Sequence, residues 1–360
     1  MINNNVDIIL CFGTRPEIIK LSPLINIIKK NKISYKLIYS NQHFSNNMSK
    51  IFFDQFGINK IHYKHRFKQK DQIFFKKLFF DYALNIFKKE KPKIIIVQGD
   101  TRTCLISTMA ANAYRKFNKH VKIFHIEAGL RSYDYSMPEE INRVTVDHLS
   151  DYLFSPTKIQ KNILLKENYK KKIFVVGSTL SDNLKNRDFK NIKKEFILFT
   201  LHRYENLISK EKLKKLINIV NFICKKKKIK IFFPIHPNTK EKIIKHDIKL
   251  NKKYIKLLNP QNYEQFLILI KNAKIVLSDS GGIQEEACIL KTPHITLREN
   301  TERPETILVK SNYLLKLDPK SVYKKIEEIF IMKKKWKDPY GTNVSLKILK
   351  QIKKVIKVSN

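Results

Sequence analysis

The sequence predicts an α/β protein built from two successive doubly wound domains, each around a parallel sheet. Three observations predict it. Short, almost wholly apolar runs rich in Ile, Val and Phe recur along the chain, as strands buried on both faces require. Helix-length stretches separate them, the spacing of parallel crossovers. A length of 360 residues suits two ordinary cores.

In order, VDIILCF (6–12) reads as a strand running into Gly13 and then a helix through Lys30. YKLIYS (35–40), a helical region around 72–90 and the buried run KIIIVQGD (93–100) follow, and a helix from about 102 to 117 leads to VKIFHIE (121–127). A second set begins near KIFVVGS (172–178). It continues through FILFTLH (196–202), IKIFFPIH (229–236), KYIKLLN (253–259), KIVLSDS (274–280) and PHITLRE (293–299). The boundary falls near Val176–Leu180, giving domains 1–176 and 177–342. A ligand is expected in a central cleft, at the carboxyl ends of both sheets.

Hydrophobic content of 42% and charged content of 29% exclude a disordered chain. The apolar runs are too short to span a bilayer, so no integral membrane segment is expected. The N-terminus lacks a basic region before its apolar stretch and reads as a strand, not a signal peptide. Cys11, Cys104, Cys224 and Cys288 form no CxxC pair, which suits free thiols in a reducing cytoplasm and argues against a metal site. The 72 Lys+Arg against 32 Asp+Glu, a net +40, invite a nucleic-acid reading. Yet the lysines are spread through Ile/Asn/Lys-rich filler, as an A/T-biased genome would produce, and no nucleic-acid motif accompanies them. No nucleic-acid partner is expected.

Against that background the exceptions are informative. Six of ten arginines (Arg15, Arg131, Arg143, Arg203, Arg298 and Arg303) sit in compact stretches rich in Gly, Pro, Glu or His. An arginine kept where lysine was so available points to its planar fork. CFGTRPEIIKLSPL (11–24) has the strand–Gly–helix layout that presents backbone N–H groups to an anion, with Arg15 and Lys20 nearby. In IVLSDSGGIQEEA (275–287), Gly281 and Gly282 allow close approach to a diphosphate, Ser280 adds a hydroxyl, and Glu286 is placed for a ribose. No GK[ST] follows, so this is no Walker loop. TLHRYEN (200–206) puts His202 and Arg203 at a strand end, PIHPNT offers His236, and the loop RENTERPET offers Arg303.

No lysine falls between Lys122 and Lys158, where Glu127, Asp134, Glu139 and Glu140 gather with Arg131 and Arg143. Asp100 and Glu127 end neighbouring strands, and Glu139 follows Pro138 at a helix start. Such acids push one another's pKa values apart, which makes a base of one and an acid of another. A lysine would hold them ionised, whereas the two arginines act as orienting partners. Glu140, Asp134 and Asp147 are read instead as caps and surface groups.

With GTRPEIIKLSPL, QGDT, HIEAGLRS, PEEINR, LHRYEN, IHPNT, DSGGIQEEA and TERPE in this order, the chain resembles the non-hydrolysing UDP-N-acetylglucosamine 2-epimerases from about residue 7 to 345. The resemblance implies the GT-B fold, with two Rossmann-like domains and a C-terminal helix (within 343–360) crossing back onto the first. It implies inversion at C2 of a UDP-sugar, with no cofactor. UDP and the C2 proton are eliminated to give a 2-acetamidoglucal, and UDP then adds back. It makes Asp100, Glu127 and Glu139 the acid/base candidates, with His202 at the departing phosphate. Arg15, Ser280, Gly281, Gly282 and Glu286 would hold diphosphate and ribose, Lys20 would support them, and Phe266 would lie beside the uracil. Arg143, His236 and Arg303 complete the substrate-binding candidates. A homodimer and a role in surface polysaccharide precursor synthesis are implied too.

Two departures keep the sugar open. Many bacterial members carry QHR followed by Gln where a second, activating UDP-GlcNAc binds, and this chain has Gln42-His43-Phe44-Ser45. That stretch looks more like branches acting on diacetamido-uronates. Tyr204 also replaces a commoner arginine. The rival activities are a hydrolysing epimerase, against which GTRPE speaks, a GT-B glycosyltransferase, and a UDP-sugar-binding module. Neither of the last two needs the carboxylate cluster.

Overall fold

The computed structural model describes residues 6–42, 53–65, 74–185, 187–192, 195–333 and 335–358. It divides into two units, one of residues 1–183 with 340–360 and one of residues 184–339.

In the first unit the elements are β1 (Ile8–Phe12), α1 (Arg15–Lys30), β2 (Tyr35–Tyr39), β3 (Tyr63–Lys64), α2 (Phe75–Glu90) and β4 (Ile94–Gln98), then α3 (Arg102–Tyr114), β5 (Lys122–Ile126), α4 (Pro138–Leu149), β6 (Tyr152–Ser155), α5 (Lys158–Lys166), β7 (Lys172–Val175) and α6 (Thr179–Leu184). The strands form one sheet in the order β3-β2-β1-β4-β5-β6-β7, every described pairing parallel. Isoleucine-rich β1 and β4 are fully enclosed because helices cover both their faces. The strand KIFV, read from sequence as the start of the second set, is the edge of this first sheet. It pairs with β6, whose run YLFS lies hidden between Ser-Asp and Ser-Pro turns.

The second unit holds β8 (Phe196–Thr200), α7 (Tyr204–Leu207), α8 (Lys210–Lys227), β9 (Lys230–Pro234), α9 (Pro237–Lys245), β10 (Ile255–Leu258), α10 (Tyr263–Asn272) and β11 (Ile275–Ser278). After these come α11 (Gly281–Ile289), β12 (His294–Thr296), α12 (Pro304–Leu308), β13 (Asn312–Leu314) and α13 (Pro319–Ile331). Its parallel sheet runs β10-β9-β8-β11-β12-β13. Each sheet thus contains the 3-2-1-4-5-6 order of a Rossmann-like fold, and the pair of them is the GT-B class. The winding reverses between β1 and β4 in one unit and between β8 and β11 in the other. The loops leaving those four strands are therefore where a ligand site is expected.

The last helix, α14 (Val344–Val358), belongs to the first unit and packs on α1 through Ile348, Leu349, Ile352 and Val355. Asp182 accepts from the N–H groups of Val344 (3.1 Å) and Ser345 (2.7 Å), capping it. Gly177 makes the return possible, since a Cβ there would lie 2.0 Å from the Tyr340 carbonyl oxygen, and its φ is +103°. Among the described residues no helix is long and apolar enough to cross a membrane. All four cysteines are free and buried.

Candidate active site

In the first unit the turn after β1 is organised by Glu17. This carboxylate, 1% exposed, accepts from Gly13 N (3.0 Å), Thr14 N (2.8 Å), Thr14 Oγ1 (2.8 Å) and, from the turn after β4, Thr101 Oγ1 (2.8 Å). Burial pushes its pKa up to about 7 against those hydrogen bonds. The Gly13 and Thr14 amides, expected to face an anion, are thus already committed. Gly13 itself is demanded by packing, since a Cβ would meet Ser40 Oγ at 2.1 Å and Thr103 Oγ1 at 2.2 Å. Arg15 opens α1 half-buried, and burial lowers the pKa of its guanidinium.

Lys20, one turn on, forms an ion pair with Glu127, each side chain 10% exposed, and Gln98 Nε2 donates to the same Glu127 oxygen at 2.6 Å. Glu127 holds φ = +72°, a strained setting for a side-chain-bearing residue, of the kind that accumulates at functional sites. Next to it in the sheet, Gly99 (φ +71°) turns the chain so that Asp100 follows β4 directly. Asp100 pairs with Arg143 at 2.6 Å, and the other guanidinium nitrogen binds Glu140 at 2.7 Å. Glu140, fully buried, also accepts from Ser132 N (3.0 Å) and Tyr133 N (3.0 Å), fixing the loop before α4. Burial works to raise the pKa of Glu140, but those amides and Arg143 hold it below the ordinary carboxylate value. Glu139, beside it in the first turn of α4, is half-buried and has no hydrogen-bond or ion-pair partner among the described residues.

The lysine-free stretch is therefore not lysine-free in space. Lys20 reaches it from α1, and the acids are sorted by their cations more than by mutual repulsion. The reading of Asp147 as a cap or surface group is also corrected. It is fully buried and accepts from His125, Gly129 N (3.2 Å) and Arg131 (2.8 Å). Arg131 spans Asp147 and Glu167, so of the two arginines only Arg143 touches a candidate acid.

In the second unit, buried Asp279 plays the part that Glu17 plays in the first. It accepts from His202 N (3.2 Å), Arg203 N (2.9 Å) and Asn206 Nδ2 (3.0 Å), and lies 3.3 Å from His202 Nδ1. Burial works to raise its pKa, but the hydrogen bond and charge of His202, with Asn206 and the Arg203 amide, hold it low. The His202 ring, 42% exposed, is left with Nε2 for a ligand. His236 caps α9 through Nδ1, and its imidazole pKa is lowered by burial and by the charge of nearby His202.

Ser280 starts α11 with no hydrogen bond from its side chain to the helix, which leaves the hydroxyl for another partner. At Gly281 a Cβ would lie 2.0 Å from Glu302 Oε1, so that glycine serves an internal carboxylate. At Gly282 the nearest atom outside the chain neighbours is Ser280 Oγ at 3.9 Å, so the approach there is open. Glu286 is 9% exposed and lies beside the Tyr263 hydroxyl, whose pKa burial and then Glu286 raise. Phe266 is half-buried one turn along α10 from Tyr263. Arg303, expected at the substrate, is 3% exposed and bound to Glu285 at 2.9 Å. It braces α11 from within.

The model of the family described as UDP-N-acetylglucosamine 2-epimerase matches residues 26–355. The chain belongs to that family. A protein of Methanocaldococcus jannaschii named UDP-N-acetylglucosamine 2-epimerase is 43% identical over 361 residues, covering 93% of this chain and 95% of its own. The crystal structure of M. jannaschii UDP-GlcNAc 2-epimerase in complex with UDP-GlcNAc and UDP superposes with a TM-score of 0.84 at 40% identity, over 97% of this chain and 99% of that one. A UDP-2,3-diacetamido-2,3-dideoxy-D-glucuronate 2-epimerase of Pseudomonas aeruginosa is 34% identical over 319 residues, or 86% of this chain and 88% of its own. Family membership makes the chain an isomerase.

Each sheet's reversal point thus gathers its own candidates, the acids, Lys20 and Arg143 in one unit and His202, Ser280, Gly282 and Glu286 in the other. Sequence reasoning passed over Glu17, Gln98 and Asp279, although each stands inside a quoted motif. The available signal was an acid or amide placed directly at a strand end or helix start. His43, Phe44 and Ser45 lie outside the described residues, as does the side chain of Tyr204. Gln42 accepts from Thr103 Oγ1 at 2.9 Å, a bond internal to the first unit.

Proposed function

We propose that this chain interconverts UDP-GlcNAc and UDP-ManNAc by inverting C2 without hydrolysis. The observation that carries the reading is the sorting of the three acids at the edge of the first sheet. Asp100 pairs with Arg143 and Glu127 with Lys20, while Glu139 has no ion-pair partner among the described residues. Such a set can take a proton at one place and return one from another.

In the elimination a carboxylate takes the C2 proton and the C1–O bond breaks toward UDP, leaving the 2-acetamidoglucal. A proton is then delivered to the opposite face of C2 and UDP adds back at C1. Arg15, Ser280, Gly282 and Glu286 hold the nucleotide, Phe266 lies beside the uracil, and His202 Nε2 supports the departing phosphate. His236 stands beside that phosphate. The greater likeness to the M. jannaschii enzyme than to the diacetamido-glucuronate enzyme favours the simple acetamido sugar. We place the enzyme in the cytoplasm as a homodimer supplying surface polysaccharide precursors.

The test is proton NMR of the protein with UDP-GlcNAc in D2O. Loss of the C2 proton signal as UDP-ManNAc appears is expected. Release of free ManNAc, or no exchange, would overturn the reading. Asp100→Asn and Glu139→Gln should each abolish turnover and leave UDP binding intact.

A further inference from the structure

His125 on β5 is fully buried, with Nδ1 2.7 Å from Asp147 Oδ1 and Nε2 2.9 Å from the Gly99 carbonyl oxygen. A carbonyl oxygen can only accept. Asp147 also receives Arg131 at 2.8 Å and the Gly129 N–H at 3.2 Å on its other oxygen, so it too is an acceptor. Neither neighbour has a proton to give the ring, so each nitrogen must supply its own. We propose that His125 is a doubly protonated imidazole acting as a positioning residue for Asp100. It fixes the Gly99 carbonyl, and with it the turn that aims the Asp100 side chain.

Charge agrees with this count. Arg131 pairs with two carboxylates, buried Asp147 and the partly exposed Glu167, and a cationic His125 makes these four groups neutral together. The other ionisable groups near this turn are Cys104, whose Sγ donates to the Gly99 oxygen at 3.2 Å, Asp100 with its partner Arg143, Glu17, which accepts from Thr101, and Cys11. Gly99, at φ +71°, has left the strand conformation, so its carbonyl direction is set by these two side chains. The Asp100 carbonyl oxygen in turn accepts from Asn142 Nδ2 at 2.7 Å, tying the same turn to α4. The ring reaches no solvent, so it acts through Asp100.

The proposal rests on Asp100 being an acid/base group, and two measurements test it. In the full chain labelled with 15N-histidine at about pH 8, where an ordinary imidazole of pKa about 6.5 is neutral, one histidine should show bonded protons on both ring nitrogens. That signal should vanish in His125→Gln. A single neutral tautomer at every histidine would overturn the proposal.

Kinetically, His125→Leu, which keeps no donor, should lower kcat about tenfold or more with KM and UDP affinity within about twofold. His125→Gln, which retains one donor toward Gly99, should fall between it and the wild type. A KM change as large as the loss in kcat would mark a merely structural role and overturn it. Wild-type kcat in His125→Leu with an inactive Asp100→Asn overturns this proposal alone. An active Asp100→Asn overturns the site assignment and this proposal with it. Should the Leu variant not fold, the NMR result and the Gln variant decide.

Discussion

Replacing Glu17 with Gln should remove a pH-dependent loss of stability from the first unit. Burial raises this carboxyl from 4.5 to about 7, despite the donors from Gly13, Thr14 and Thr101. The native protein therefore keeps a proton that the unfolded chain gives up between pH 4.5 and about 7. Stability falls as pH rises through that window and stays reduced above it. The displacement from 4.5 to about 7 corresponds to about 3 kcal/mol. Gln cannot ionise and has nearly the same shape. Its oxygen can take the Gly13 and Thr14 donors, while its NH2 donates to Thr101 Oγ1, whose own proton turns away. In the other unit, burial lowers His294 from 6.5 to about 4, so its contribution is lost as pH falls. The wild-type profile alone thus mixes opposite slopes, and the difference between variant and wild type isolates Glu17. Urea unfolding of both proteins from pH 4.5 to about 8 should show the Gln variant gaining about 3 kcal/mol on the wild type. Parallel profiles would refute the reasoning.

The two adjacent glycines should separate. Gly281→Ala, whose methyl meets a Glu302 carboxylate anchored by Arg298 at 2.9 Å, should cost about 1–3 kcal/mol in thermal or urea unfolding. Gly282→Ala should fold normally and lose UDP affinity, measured by calorimetry. Asp279→Asn should lower kcat by loosening the His202–Arg203 loop and destabilise the second unit by about 1–3 kcal/mol, the cost of leaving a buried donor without its acceptor. Circular dichroism melts beside turnover rates check both effects.

Most strands were legible because enclosure on both faces leaves an unbroken apolar run, as in IIIV of β4 and FILF of β8. β3, β6 and β13 escaped because β3 has two residues, YLFS is hidden between Ser-Asp and Ser-Pro turns, and NYL opens on a turn-type Asn. At the site, motif residues could be read as chemistry but not as partnerships. Nothing in the spacing of Lys20 and Glu127, 107 positions apart, announces their ion pair. Arg303 reads as a ligand-binding fork for the same reason. Its pairing with Glu285 depends on how α11 packs, which no local pattern records.

The return of α14 to the first unit bears on how the protein is made. Residues 184–339 are contiguous and can close their sheet while synthesis is still under way. The first unit cannot, because Ile348, Leu349, Ile352 and Val355 are part of its interior and are translated after residues 184–339. Until they leave the ribosome, the apolar stripe of α1 that they cover stays wet. The half carrying the acids is therefore completed after the other, and a chain halted after residue 339 carries a finished second unit tethered to an unfinished acid-bearing one.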